Sequence, residues 1–239
     1  MFFLDPRYMI FMIPAFLLMM VAQLFVNSAY RKWSQVPSRS RLSGAQAAQR
    51  LIYAGGLNVQ VEGINGKLTD HYDPRDKVLR LSAGVYQGQS VAALAIAAHE
   101  LGHAMQDQDG YAPMRIRAAL VPAVNIGSYL GWILLMIGLV LQSTSLAGMG
   151  TNLAWLGVLV FSLGAIFALM TLPVELNASA RAKKLLVDSG LIVGQDEERG
   201  VSSVLNAAAL TYVAGLVTAL MQVLYYVTLV MGMGGRRRS

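Results

Sequence analysis

The chain has 239 residues, of which 55% are hydrophobic and only 13% charged, with no cysteine and a formal net charge of +6. Such a composition argues against an ordinary soluble domain and for a membrane protein. The lack of cysteine excludes disulfides, thiolate metal ligands and a cysteine nucleophile, and basic residues that flank apolar stretches without interleaved aromatics exclude a nucleic-acid partner.

The first apolar stretch, Tyr8–Val26, is long enough to cross a bilayer core of about 30 Å. Its basic lead-in is weak and no small-residue cleavage site follows, so residues 1–30 read as a retained anchor. A polar connector, Ser34–Arg41, leads to Ser43, which caps a helix ending near Gly55-Gly56. Leu57–Val61 alternates like a half-buried strand, and Asn65-Gly66 signals a tight hairpin into a second strand, Lys67–Tyr72. A turn at Pro74–Lys77 precedes a third strand, Val78–Leu81. The expectation is a helix followed by a three-stranded antiparallel sheet. Val78, Leu79, Arg80 and Leu81 are the candidate open edge for an extended substrate.

Ser90 caps the next helix, which runs to about Asp109 with Gly110 just beyond it. Val91–Ala98 is apolar on every side, so this helix should be enclosed by protein. Its polar end carries His99-Glu100-Leu101-Gly102-His103, a match to H-E-x-x-H. Histidines four apart leave one helical face about a turn apart and can share a zinc ion. Glu100, beside them, can take a proton from the metal's water and pass it to a leaving amine. The motif reads as the core of a zinc peptidase.

Three more stretches are long enough to span: Ala118–Leu141, Leu153–Leu172 and Ala207–Met231. The chain divides accordingly into an anchor (1–30), a catalytic part bearing the HELGH helix (31–117), a transmembrane hairpin (118–172), a helix with a further ligand (173–206) and a last span with a basic tail (207–239). Arg31, Lys32, Arg39, Arg41, Arg115 and Arg117 flank the first two spans, and Arg181, Lys183 and Lys184 follow the third. The loop Gln142–Asn152 is uncharged. The positive-inside rule puts both basic segments in the cytoplasm. Only the tail Arg236-Arg237-Arg238 disagrees, if the fourth stretch crosses fully.

A catalytic zinc takes three protein ligands and a water. Asp109 has a spacing some zinc peptidases use, but that motif needs a glycine where Gln106 stands. Asp107 sits a full turn along the helix. Glu175 is preferred, projecting from the first turn of a helix opened by Pro173. Two crossings separate it from the histidines, so all three lie on one side of the membrane. Ser179 could hydrogen-bond a histidine, with Asn177 and Arg181 as weaker candidates, and His71 or Tyr72 could polarise the oxyanion.

These residues resemble the YugP-like neutral zinc metallopeptidase family of bacterial membrane proteins. The likeness covers nearly the whole chain, including Leu68–Arg75, Leu79–Ser82, Ser90–Ala93, Ala97–Ala104 and Glu175–Ser179. The resemblance implies a membrane-embedded zinc peptidase centred on HELGH. More distantly the chain is similar to the HtpX-type membrane peptidases, in which a glutamate after a later span completes the site. Those carry an aspartate where this chain has Ser179.

The overall expectation is an α+β membrane protein: a small zincin-like catalytic domain on about four transmembrane helices. It would be an integral-membrane zinc metalloendopeptidase of the inner membrane, active on the cytoplasmic side, with membrane lipid and a protein or peptide substrate as partners. No oligomeric state is read from the sequence. The alternative is a non-catalytic scaffold or chaperone with a structural zinc, closed by a fourth ligand such as Asp107 or His71. A transporter is disfavoured because the spans carry almost no ionisable residues.

Overall fold

The computed structural model describes residues 5–234. In chain order the elements are α1 (Pro6–Trp33), α2 (Gly44–Gly55), β1 (Gln60–Ile64), β2 (His71–Asp73), β3 (Val78–Ser82), α3 (Ala83–Tyr86), α4 (Val91–Gln108), α5 (Ala112–Leu141), α6 (Ala147–Phe161), α7 (Leu163–Asp188) and α8 (Gln195–Gly234). The chain forms two compact units. One gathers the segment up to Val21, Arg115–Leu172 and the segment from Tyr212. The other gathers Ala22–Met114 and Pro173–Thr211.

The first unit is helical. Four helices of the chain, each divided between the two units, Pro6–Trp33, Ala112–Leu141, Ala147–Asp188 taken through the break at Ser162, and Gln195–Gly232, are long and apolar enough to cross a membrane. At most 28% of the most apolar window of each is buried within the protein. Apolar faces exposed on that scale are stable only against lipid, and the chain is a multi-pass membrane protein. Between α5 and α6 glycines replace bulk: a Cβ at Gly131 or Gly138 would meet the backbone of α6. Small residues let spanning helices pack at close range where no hydrophobic force draws them together. The tail Arg236–Arg238 lies outside the described residues.

The second unit holds α2, the sheet and α4. Ser43 caps α2 by accepting from the Gln46 amide at 3.2 Å, while Gln46 Oε1 accepts from the Ser43 amide at 2.9 Å. Gly56, at φ +59°, ends the helix in the left-handed conformation that glycine adopts without penalty. Ser90 Oγ accepts from the Ala93 amide at 3.2 Å and so starts α4 where expected. Leu51, Leu79, Leu81, Leu94, Leu101 and Leu186 anchor one core from α2, β3, α4 and α7.

The sheet departs from expectation. Its order is β1-β3-β2, with β1 parallel and β2 antiparallel to β3, so it is mixed rather than antiparallel. β2 keeps three residues and β3 is buried at four of its five positions, which suits β3 to the centre. The tight Pro74–Lys77 turn commits β2 to one side of β3. That leaves β1 the opposite side, reached in parallel through the long 65–70 connection. Asn65-Gly66 therefore joins strands that are not neighbours. Val78–Leu81, flanked on both sides, cannot be the open substrate edge.

A second correction concerns Pro173, which lies inside α7 and does not open a helix. Proline cannot donate to the carbonyl four residues back, yet membrane helices accommodate it where neighbouring groups compensate. Glu175 is thus mid-helix and gains nothing from a helix N-terminus.

Helices α4 and α7 meet at Gly102, where an added Cβ would collide with the Ala178 carbonyl. Helix propensity alone would make Gly102→Ala stabilising by about 1 kcal/mol. Overpacking against backbone costs about 1–3 kcal/mol, so the expected net effect is destabilisation. Thermal unfolding of the detergent-solubilised variant checks the sign.

Candidate metal centre

His99 and His103, one turn apart on α4, stack edge to face with centroids 4.9 Å apart. Glu175 of α7 reaches between them: its Oε2 lies 3.3 Å from His99 Nε2 and 3.4 Å from His103 Nε2. One ligand atom from each of the three residues lies within 4.8 Å of the others, the one such group of three or more His, Asp and Glu among the described residues. Glu175 is 2% exposed and His103 9%. A carboxylate this buried, away from any helix end, needs positive charge nearby.

The far sides of both rings are also engaged. His99 Nδ1 pairs with the Ser179 hydroxyl at 3.2 Å. His103 Nδ1 meets Gln106 Oε1 at 3.0 Å. With both Nδ1 atoms occupied, both Nε2 atoms are left to face Glu175, and two imidazole nitrogens plus a carboxylate oxygen suit zinc. Burial pulls the His103 pKa down, but the hydrogen bond to Glu175 and the charge of Glu100 outweigh it, and the net shift is upward.

Glu100 is held by the sheet. Its Oε2 accepts from the Tyr72 amide at 3.1 Å, so Tyr72 in β2 turns its amide away from β3 and toward α4. Burial raises the Glu100 pKa above the usual carboxylate range, against the opposing pull of the two histidines.

Other candidates lie elsewhere. His71 is exposed, and its Nδ1 donates to the Thr69 carbonyl at 2.9 Å. The Tyr72 hydroxyl donates to Asp107 at 2.7 Å, and Lys77 pairs with the same carboxylate. Asp109 pairs with Arg181, whose Nε also donates to Asn177 Oδ1 at 2.8 Å. Asp107, Asp109 and His71 stand outside the convergent set. The residue missed in the sequence is Gln106, fully buried among the site's partners. A polar side chain three residues after His103, on the same helical face, was the available signal.

The profile of a family described as "Putative neutral zinc metallopeptidase" matches residues 8–231. The chain belongs to this family. It is 44% identical over 207 residues to the "Putative membrane protease YugP" of Bacillus subtilis (strain 168), covering 86% of this chain and 88% of that one. No solved structure matches it significantly.

Replacing Glu175 with alanine should lower zinc affinity by more than the roughly 10–100-fold typical of losing an outer hydrogen-bond partner. Asp109→Ala should leave affinity unchanged. Competition against a chromophoric chelator measures both.

Proposed function

We propose that the chain is an integral-membrane zinc metalloendopeptidase in which His99, His103 and Glu175 hold the metal and Glu100 is the general base. The convergence of the two Nε2 atoms and the Glu175 carboxylate, with Glu100 one residue from His99, carries this reading. Zinc bound by such a set supplies Lewis acidity toward a carbonyl and lowers the pKa of water. Three protein groups leave a position open, as catalysis needs and a structural site does not.

Glu100 takes the proton of the attacking water and delivers it to the leaving nitrogen. Its burial favours this work, because a carboxylate with a raised pKa holds a transferred proton more readily. The Tyr72 amide keeps the carboxylate aimed. β2 is the sheet edge beside α4, and an extended peptide laid along it would pass Glu100. Asp107 and Lys77, drawn together at the Tyr72 hydroxyl, lie in the wall of an adjoining cavity of about 370 Å³ that could receive a substrate side chain.

The basic segments around the first three spans favour the inner membrane with the site on the cytoplasmic side. Membrane-associated or misfolded polypeptides are the proposed substrate class, by analogy with other membrane peptidases only, with lipid as the surrounding partner.

Glu100→Gln should keep zinc binding near the wild-type level and reduce turnover of an unfolded protein substrate by about 10²–10⁴-fold. Zinc stoichiometry and peptide release, measured on one detergent-purified sample, check both halves.

A further inference from the structure

Gln106 lies almost one turn beyond His103 on α4 and has no exposed surface. Both ends of its carboxamide are used. Oε1 meets His103 Nδ1 at 3.0 Å, and Nε2 donates to the Val174 carbonyl at 2.7 Å and to Asn177 Oδ1 at 3.0 Å.

The orientation of this amide follows from hydrogen-bond chemistry. A backbone carbonyl has no proton, so the end of Gln106 that faces Val174 must be the NH₂ group. Oε1 then faces the ring, and it too has no proton to give. His103 Nδ1 must therefore carry the hydrogen, and in the neutral ring this leaves Nε2 as the lone-pair nitrogen facing Glu175. Asn177 is fixed in the same way, because its Oδ1 accepts from both Gln106 and Arg181. The partner of His99 is different in kind: the Ser179 hydroxyl can either donate or accept, so it does not select a tautomer.

Gln106 also ties two ligands together. Val174 immediately precedes Glu175, so one side chain joins the ring of a ligand on α4 to the backbone of the turn that carries the ligand on α7. Burying an amide with no partner would cost free energy, whereas here the donor and acceptor ends are both satisfied across the interval a metal must bridge.

We propose that Gln106 is the positioning residue of the metal centre, selecting the His103 tautomer and setting the separation of the α4 and α7 ligands. The proposal rests on the zinc reading above.

The test compares the full chain in detergent with Gln106→Leu and Gln106→Glu. Three quantities are read: zinc affinity by chelator competition, the visible absorption of the cobalt-substituted protein, and the ring ¹⁵N shifts of His103 without metal, at a pH where both histidines are neutral. Gln106→Leu should weaken zinc binding by about 10–100-fold, alter the cobalt spectrum and abolish the single Nδ1–H signature. Gln106→Glu should keep that signature, because a carboxylate still accepts from Nδ1. It should bind zinc more weakly than wild type, because it has no N–H for Val174. A Leu variant matching wild type in affinity, cobalt spectrum and tautomer overturns the proposal. Should that variant not fold, a Glu variant with wild-type affinity or a lost Nδ1–H signature does the same. A wild-type chain that binds no zinc sinks the zinc reading and the positioning role together. A wild type that binds and a Leu variant that binds equally well sinks the role alone.

Discussion

The structure depends on holding a buried carboxylate opposite two imidazoles carried by a different helix. Glu175 has no helix terminus to stabilise it and almost no contact with water, and α4 sets two imidazole Nε2 atoms against it. A close approach of the helices achieves this. Gly102, inside the motif itself, makes that approach possible, since any side chain there would strike the α7 backbone. The motif thus supplies both the ligands and the clearance for the third.

Around this contact other polar groups are engaged. Ser179 meets one ring, Gln106 meets the other, and Tyr72 holds Glu100 from the sheet. The sheet's part is to bring one outward-turned amide to α4. β2 can do this because it is an edge, and it is an edge because β3 takes the centre. Two helical runs long and apolar enough to cross a membrane, Ala112–Leu141 and the one beginning at Ala147, come between α4 and the Glu175 turn, and an even number of crossings is what a shared site requires.

Legibility in the sequence followed the range of the forces involved. Caps, glycine stops and apolar runs act within a few residues, and Ser43, Gly56, Ser90 and the four long helices were readable from them. HELGH was equally plain because its spacing is itself the geometry. Strand order was not readable: alternation marks a strand but does not say which neighbour it pairs with, and the Asn65-Gly66 signal favoured a hairpin that the buried β3 overrode. Pro173 misled because a helix-start signal in water is tolerated mid-helix in a membrane segment. Glu175 was found through crossing parity and resemblance to a family, but its lack of a helix end to stabilise it could be seen only in the fold. Gln106 was noticed as a missing glycine; its contact with His103 is local to α4, but those with Val174 and Asn177 depend on α7, which no local pattern around α4 encodes.

The most direct test is the location of the metal, by anomalous scattering at the zinc edge from crystals of the zinc-loaded protein. The account predicts one strong peak, about 2.0–2.2 Å from His99 Nε2, His103 Nε2 and a Glu175 oxygen. A peak that leaves Glu175 out of coordinating reach, or one completed instead by Asp107, Asp109 or His71, would contradict it.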